Sequence, residues 1–193
     1  MTVVVGAIVG DDGSARCPWG DGAEDMRSYH DNEWGRTVRG DHKLFERVTL
    51  EAFQSGLSWA IVLRKRERFR EVFADFDPGA VAGFGEPRVA TLLTDAGIIR
   101  NRAKIEATIT NARAILALDG TLEQLLWSFA PVPPSAAPRL VSDVPAQTAE
   151  SKAMAKELKR RGFAFVGPTT AYALMQATGM VDDHLAGCYV RGA

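Results

Sequence analysis

Hydrophobic residues recur at intervals of three and four positions over most of the chain, the spacing that places side chains on one face of a helix. This pattern predicts helices over about 24–30, 41–55, 89–96, 105–116, 121–129, 149–161 and 169–178. Another helix should begin at 58 or 59 and continue through the stripe Phe69, Val72, Phe73 and Phe76, and a further one should begin at 78. A last short helix is expected with Asp182 or Asp183 as its cap. Neither a βαβ alternation nor an internal repeat is evident. The predicted class is therefore all-α.

Residues that favour helix ends support several of these boundaries. Asp41 stands where it can cap the helix over 41–55. Asp77 followed by Pro78 has the pattern of an N-cap with proline at the first helical position. Thr121 with a glutamine three residues later is a capping-box sequence. We therefore expect helices to begin at these three positions.

The proline-rich stretch 131–138 excludes regular structure. We predict that 130–147 is a loop that crosses between two interlocked lobes of a single unit over 16–193. The opening segment Thr2–Val9 is apolar but short, and two acidic residues follow it closely. It is predicted to be an extra strand or a loose tail, so that residues 1–15 form an N-terminal extension.

Composition limits the class of protein. Hydrophobic residues make up 46% and charged residues 24% of the 193, as in ordinary soluble globular chains. No apolar run reaches the roughly 18 residues that a membrane helix needs, and the opening segment lacks the basic leader of a signal peptide. We therefore expect a cytoplasmic monomer. In a reducing compartment the two cysteines are expected to be thiols or metal ligands rather than a disulfide.

Charge argues against a protein coated in positive residues. The net charge is −1 and the pI about 6.3, which is mild evidence against tight nonspecific binding to nucleic acid. Twelve of the 23 lysines and arginines nonetheless fall in three clusters, within 64–70, 100–104 and 156–161. Local contact with phosphates and ordinary solvated helix faces are both open interpretations of these clusters.

Two pairs of candidate metal ligands lie near opposite ends of the chain. Cys17 and His30 are separated by twelve residues, and His184 and Cys188 by three. On a helix the second pair would lie on one face, which suits two corners of a zinc tetrahedron. Four such ligands would fill the coordination sphere and exclude water, as in structural zinc sites. The alternative is a buried free cysteine with ordinary histidines.

One stretch, Arg-Ser-Tyr-His-Asp-Asn-Glu-Trp-Gly, is too rich in polar and aromatic residues to be core or linker. It contributes Tyr29 and Trp34, and Trp19 and Trp59 lie on either side of it. Glu51, close by, falls on the inward stripe of its predicted helix. Aromatic faces attract delocalised cations, and a buried acid can accept hydrogen bonds from an amine. Core packing of the aromatic residues and an internal salt bridge of Glu51 are the alternatives.

Two segments have the composition of loops that contact DNA. Residues 97–103 join two predicted amphipathic helices, and such a hairpin offers backbone N–H groups and a helix N-terminus to a phosphate. Residues 54–58 interrupt the helical pattern and carry a leucine that can wedge into a base stack. The candidate DNA-binding residues are Gln54, Gly56, Leu57, Gly97, Ile98, Arg100, Arg102 and Lys104. A plain αα-hairpin and a helix C-cap are the alternatives.

Together these segments resemble the 3-methyladenine DNA glycosylase I family, the helix-hairpin-helix enzymes of bacterial alkylation repair. The motifs that carry the resemblance are, in chain order, Cys-x-Trp, Tyr-His-Asp-Asn-Glu-Trp-Gly, Leu-Glu-x-x-Gln-x-Gly-Leu-Ser-Trp, Asp-Ala-Gly-Ile-Ile-Arg-Asn-Arg-x-Lys-Ile, Lys-Arg-Gly-Phe-x-Phe-Val-Gly and Asp-Asp-His-x-x-x-Cys. They extend from about Arg16 to Tyr189, nearly the whole chain apart from the extension. Each motif alone is weakly specific, whereas all of them in this order are strongly so.

The resemblance implies an all-α, helix-hairpin-helix glycosylase fold in which a zinc clasp joins the N-terminal and C-terminal segments. The implied lobes are a hairpin lobe over about 60–130 and a zinc-bearing lobe built from about 16–59 and 148–193. One structural Zn²⁺ per chain would be held by Cys17, His30, His184 and Cys188.

The resemblance also implies base-excision repair of alkylated double-stranded DNA. The reaction would be hydrolysis of the N-glycosidic bond without strand cleavage, releasing free 3-methyladenine after the nucleotide is flipped out of the duplex. The implied site residues are Glu51 and Tyr29 in catalysis, and the same two with Trp34, Trp59 and Trp19 in binding the base. The family lacks the aspartate that other members of the superfamily use after the hairpin, so Asp119 is expected to be an ordinary helix-end residue.

Two further functions are compatible with the same residue types. A zinc-clasped module that binds DNA or senses alkylated bases without turnover would use the same aromatic residues and hairpin. A hydrolase with catalytic zinc is disfavoured because four cysteine and histidine ligands leave no open coordination position.

Overall fold

The computed structural model describes residues 5–132 and 136–192. Its regular elements, in chain order, are strands β1 (Ile8–Val9) and β2 (Ala15–Arg16) and helices α1 (Glu24–Asn32), α2 (Asp41–Gln54), α3 (Trp59–Val72), α4 (Pro78–Ala82), α5 (Glu86–Thr94), α6 (Arg102–Leu116), α7 (Leu122–Trp127), α8 (Ala149–Arg160) and α9 (Pro168–Ala177). Short 3-10 turns lie at Pro18–Gly20, Ala74–Phe76 and Val141–Asp143. The predicted all-α class is confirmed, with one small hairpin added.

Helix α2 lies at the centre of the core. It packs against α3, α6, α7 and α9, and five of its apolar side chains are at most 1% exposed: Leu44, Phe45, Val48, Leu50 and Phe53. The phenylalanine stripe that follows closes the core on one side, with the rings of Phe73 and Phe76 stacked at 5.9 Å between centroids. Helix α2 therefore presents Glu51, near its C-terminal end, from a rigid and buried position.

Of the three predicted N-caps, Asp41, Asp77 and Thr121, the structure confirms the last two. Asp77 accepts from the backbone N–H of Gly79, and Thr121 forms the expected capping box. Asp41 is a correction, because it is the first residue of α2 and its carboxylate caps α7 instead. It accepts from the backbone N–H groups of Leu122 at 3.2 Å and Glu123 at 3.0 Å. A carboxylate at that helix N-terminus is favoured by the helix dipole.

The C-terminal segment departs from prediction. Within the described part of the chain, residues after α9 form successive turns, and the expected short helix at Asp182 is wrong. The Asp182 carboxylate instead accepts from the backbone N–H of His184 at 3.1 Å, and the N–H of Cys188 donates to the carbonyl of Leu185 at 2.8 Å. These turns, not a helix face, set the positions of His184 and Cys188.

The N-terminal extension carries the strand that its apolar residues predicted. Strands β1 and β2 pair antiparallel, with Ile8 opposite Arg16. Residues 2–4 of the predicted strand and 133–135 of the predicted crossing loop lie outside the described residues. The division into two lobes and the monomeric state remain predictions. None of the helices in the described ranges has the length and apolarity needed to cross a membrane.

Candidate active site and metal centre

A cavity of about 340 Å³ opens beside the C-terminal half of α2. Its lining residues are Cys17, Trp19, Met26, Tyr29, Trp34, Glu51, Gln54, Trp59, Val141, Val144, Ala173, Gln176, Asp183 and Leu185. The structure thus brings together all five residues that the sequence nominated for a base pocket, although they come from a 3-10 turn, two helices and two loop or helix-start positions. The crossing loop and α9 complete the wall.

The aromatic side chains form a connected surface around this cavity. The rings of Trp19 and Trp34 meet edge to face at 5.0 Å between centroids, and those of Tyr29 and Trp59 lie 5.1 Å apart. Tyr29 is 3% exposed, whereas Trp19 is 36% exposed and lies at the mouth. The indole Nε1 of Trp59 is buried and has no hydrogen-bond partner among the described residues. Such a surface suits a planar, aromatic ligand.

The carboxyl group of Glu51 is buried in the cavity wall. Glu51 is 5% exposed, and its Oε2 atom finds no hydrogen-bond partner in the described part of the chain. Burial raises its pKa to about 8, and the positive charge of Arg47 opposes that rise. An unpartnered buried carboxyl oxygen is costly in a folded protein. A ligand that donates a hydrogen bond to Oε2 would relieve that cost.

Two further polar residues on the cavity wall were not nominated from the sequence. Asp183 is 5% exposed and accepts from the Tyr172 hydroxyl at 2.6 Å and from Gln176 Nε2 at 2.8 Å. Asp183 was assigned only as a possible helix cap, and Gln176 was read as part of a helix. In the sequence, Asp183 could have been associated with the site because it is next to the candidate ligand His184. Nothing comparable singles out Gln176.

The loop after α2 contains a tight turn, and a lysine from α6 binds its backbone. Gly56 has a φ of 80°, in the left-handed region that glycine favours, and the N–H of Leu57 donates to the carbonyl of Gln54 at 2.7 Å. Leu57 is 39% exposed at the tip.

The structure corrects the expected role of Lys104 in DNA contact. Its buried ammonium donates to the carbonyls of Phe53 at 2.9 Å and Ser55 at 2.6 Å, so it supports this loop.

The predicted hairpin between α5 and α6 is present. Helix α5 ends at Thr94, earlier than the glycine that was expected to stop it. The N–H of Gly97 donates to Asp95 Oδ1 at 2.7 Å, and Asn101 caps α6 by accepting from the N–H of Lys104. Ile98 is 2% exposed and anchors the turn in the core.

The cations on the hairpin are unequal. Arg100 is exposed, whereas Arg102 pairs with Glu86 at 2.9 Å and with Glu106 at 3.1 Å. The basic cluster on α3 is also paired, since Arg64, Arg66, Arg68 and Arg70 each contact a carboxylate. For α3 the interpretation as an ordinary helix face is therefore the better one.

The four candidate metal ligands converge into one buried cluster. Their ligand atoms all lie within 4.8 Å of one another, and the closest sulfur–nitrogen distances are 3.5 Å from Cys188 to His30, 3.6 Å from Cys188 to His184 and 3.8 Å from Cys17 to His184. A tetrahedral ion with metal–sulfur bonds of about 2.3 Å and metal–nitrogen bonds of about 2.0–2.1 Å has sulfur–nitrogen edges of about 3.6 Å. Three of the sulfur–nitrogen distances match such an edge, and the cluster could therefore hold a metal ion.

Both imidazoles are oriented by a second partner. His30 Nδ1 lies 2.8 Å from Asp31 Oδ1, and His184 Nε2 lies 3.1 Å from the Trp34 carbonyl oxygen. The nitrogens that face the cysteines are His30 Nε2 and His184 Nδ1. Burial lowers the pKa of both imidazoles, which favours the neutral form that binds metals. This arrangement of outer partners is typical of metal-ligating histidines.

The buried guanidinium of Arg16 ties the extension to this centre. It binds Asp31 at 2.9 Å and Asp12 of the β-hairpin at 2.7 Å. The N-terminal hairpin therefore supports the carboxylate that holds His30.

Comparison with known protein families decides the relationship of this chain. A family model described as methyladenine glycosylase matches residues 19–191. The chain belongs to the methyladenine glycosylase family. The resemblance seen in the motifs is thereby confirmed, and the match begins after the N-terminal hairpin.

Individual relatives cover nearly the same span. The chain is 45% identical over 180 residues to a DNA-3-methyladenine glycosylase of Haemophilus influenzae, covering 91% of this chain and 97% of that protein. It is similar, with a TM-score of 0.87 and 45% identity, to a crystal structure of 3-methyladenine DNA glycosylase I, covering 90% of this chain and 98% of the other. A variant of 3-methyladenine DNA glycosylase I in complex with 3-methyladenine gives a TM-score of 0.87 at 30% identity, covering 92% and 98%. The predicted glycosylase fold is confirmed.

Gly20 makes the closest backbone approach to a candidate ligand. A Cβ atom there would lie 2.4 Å from two ring atoms of His30, which is too close for any side chain. We therefore expect Gly20→Ala to displace the imidazole and to increase the rate at which a chelator removes bound metal by at least tenfold. Metal content by mass spectrometry and release to a chromogenic chelator would measure this. Gly22→Ala is the matched control, because a Cβ there meets nothing within 4 Å. Equal release rates in the two variants would contradict the assignment of His30.

Proposed function

We propose that this member of the family releases 3-methyladenine from alkylated double-stranded DNA as a step of base-excision repair. The observation that carries the proposal is the buried Glu51 carboxyl, whose Oε2 is unpartnered among the described residues, in a cavity walled by aromatic rings. The family relationship supports it, as does the crystal structure of a relative in complex with 3-methyladenine. The cavity combines a surface for stacking with a single acceptor for a base edge.

The reaction requires little from the protein as an acid. Methylation at N3 gives the adenine ring a positive charge, which weakens its bond to C1′ of the sugar. When that bond breaks, the bonding electron pair moves to the base and neutralises it. Water adds to C1′ and loses a proton, leaving an abasic sugar and free 3-methyladenine. Because no lysine lines the described cavity, we infer simple hydrolysis without a covalent enzyme–DNA intermediate or strand cleavage.

Recognition of the cationic base would then supply most of the selectivity. Aromatic contact with a desolvated cation contributes about 2 kcal/mol. The Glu51 carboxylate would accept a hydrogen bond from the exocyclic amine, and the opposite charges would strengthen it. Unmodified adenine offers the amine without the positive charge. It would therefore bind more weakly in the same cavity.

Access to the cavity requires the nucleotide to leave the duplex. Extrusion costs a few kcal/mol, and a wedge that occupies the vacated space offsets part of it. Leu57, exposed at the tip of the loop after α2, is our candidate for that wedge. The hairpin between α5 and α6 would hold a backbone phosphate through its N–H groups, with Arg100 as its exposed cation.

We also infer that the metal ion is zinc and that its role is structural. Two cysteines and two histidines are a donor set typical of Zn²⁺, and four protein ligands leave no position for water or substrate. Bound zinc would supply cross-linking between the chain ends rather than a catalytic water. The base pocket borders this centre, since Cys17 lines the cavity.

Base release from methylated duplex DNA tests the activity. The native, zinc-loaded protein should release free 3-methyladenine, detected by chromatography, and leave a strand that breaks only after alkali treatment. Unmethylated DNA of the same sequence is the control. Binding of methylated DNA without any base release would instead favour a sensing module and would contradict the glycosylase proposal.

A further inference from the structure

Within the proposed function, we infer that Arg47 is a positioning residue that keeps Glu51 negatively charged for the incoming cationic base. Arg47 was not nominated from the sequence, and it does not line the base cavity. It lies one helical turn before Glu51 on α2, so the two side chains emerge from the same face of that helix. Both residues are buried, with Arg47 8% exposed.

The side chain of Arg47 lies next to an aromatic residue of the cavity wall. Its Cζ atom is 5.7 Å from the centroid of the Tyr29 ring, and Tyr29 lines the cavity. Its Nη2 donates to Glu33 Oε2 at 3.0 Å. Its Nη1 is buried and has no hydrogen-bond partner among the described residues. Part of this cation is therefore uncommitted, close to the base pocket.

The partner of Arg47 does not cancel its charge. Glu33 is shared with Arg66, which donates to it at 2.6 Å and 2.9 Å. Arg47, Glu33 and Arg66 thus carry two positive charges and one negative, and the exposed Glu67, 3.9 Å from Arg66, offsets only part of the excess. A net positive charge beside a buried carboxyl favours the ionised form of that carboxyl.

The other groups around Glu51 do not replace this effect. Tyr29 on α1 lines the cavity as an uncharged phenol, because burial raises the pKa of its hydroxyl. Cys17 also lines the cavity, but its sulfur belongs to the cluster of candidate metal ligands. Asp183 lines the cavity from the C-terminal turns, and its carboxyl group already accepts from Tyr172 and Gln176. The Lys104 ammonium at the end of α2 is bound to two carbonyls. Arg47 is the cation that lowers the pKa of Glu51, against the larger effect of burial.

This balance has a consequence for turnover. Where the Glu51 carboxyl is protonated, it must lose its proton before it can meet the cationic base as an anion. Each unit by which its pKa lies above the working pH reduces the competent fraction about tenfold. Removing Arg47 should therefore move the acidic limb of the pH profile of kcat/KM, which reports the free enzyme, to higher pH.

The test is the pH dependence of base release by Arg47→Gln between pH 6 and 10. We expect its acidic limb to move up by about one unit, with kcat/KM about tenfold lower on the limb and close to native on the alkaline plateau. Arg47→Lys should restore the native limb. Arg70→Gln is the matched control, since it removes an arginine of α3 that pairs with Glu46 instead. A uniform loss at every pH, or no shift, would overturn the inference.

A second variant guards against a folding defect. Arg66→Gln leaves Arg47 in a neutral pair with Glu33, so its limb should also move to higher pH, by less than in Arg47→Gln. A native limb in Arg66→Gln would count against the charge cluster. The proposed function and this inference fail separately. No base release by the native protein would remove the function, whereas native release with a pH profile that is unchanged in Arg47→Gln would remove only the role of Arg47.

Discussion

Replacing Glu51 with glutamine should lower the rate of 3-methyladenine release by about 10²–10³, the effect typical of removing one preorganised electrostatic partner from an active site. Glutamine keeps the shape of the side chain and can still accept a hydrogen bond through its amide oxygen. It removes the negative charge that meets the cationic base and replaces one carboxyl oxygen with an NH2 group. The measurement is single-turnover base release from methylated duplex DNA at saturating enzyme.

The Glu51→Gln variant should remain folded, and its stability should depend on pH differently from that of the native protein. The pKa of Glu51 is raised from 4.5 to about 8 in the folded state, so the native protein binds an extra proton between these values. Stability conferred by that proton is present at low pH and is lost as pH rises through the window from 4.5 to about 8. Glu51→Gln lacks this dependence. Its melting temperature relative to the native protein should therefore increase from pH 5 to pH 9.

The outcome separates recognition from packing. Trp59→Phe is a useful companion variant, because it keeps a ring in the wall and removes the buried, unpartnered indole N–H. It should lose far less activity than Glu51→Gln. If Glu51→Gln released 3-methyladenine at the native rate while remaining folded, the carboxylate would have no part in reading the base.

Local patterns in the sequence predicted most of the helices and nominated the members of both sites, and the family resemblance then implied their roles. Glu51 was found because it falls on a helical stripe of apolar residues, which places an acid where water is scarce. Cys17, His30, His184 and Cys188 were found because their chemistry is rare in an ordinary core. Such inferences depend on residue type and short spacing, which a single sequence contains.

The failures have a common physical origin in contacts between distant parts of the chain. Asp41 had the right residue type for a cap, but the helix that it caps begins 81 residues later. Lys104 looked like a phosphate ligand because its neighbours are cationic, yet carbonyls about 50 positions earlier bury its ammonium. Arg47 was overlooked because its observed contacts, with Glu33 and the Tyr29 ring, come from outside α2, although its spacing of four from Glu51 is visible in the sequence. Spacing along the chain does not reveal such pairs.

The C-terminal candidate ligands show that a predicted cluster can form although the predicted helix does not. His184 and Cys188 were paired by assuming one helix face, whereas successive turns bring them together. The two side chains converge on one cluster although turns, not a helix, carry them. Residue chemistry therefore predicted the centre better than local secondary structure did.

Removal of one metal ligand should have the largest effect on stability. In His184→Ala the ion would keep only three of four ligands. Loss of the weakened ion would open the link between the two ends of the chain, in which Cys17 and His184 are 167 residues apart. Closing a loop of more than 100 residues stabilises a fold by roughly 4–5 kcal/mol in the chain-entropy model. We expect a loss of that order in the free energy of unfolding, together with loss of bound metal. Denaturant unfolding with parallel metal analysis would measure both.

A matched control is available in the third histidine. His42 is exposed on α2 and lies outside the ligand cluster, so His42→Ala should keep native stability and metal content. Chelation of the native protein should reproduce the stability of His184→Ala, and chelator should have no further effect on that variant. Base release should fall in step with the folded fraction, because four protein ligands leave the ion no catalytic position. A metal-depleted protein that stayed folded and stable but released no base would instead assign the ion to catalysis.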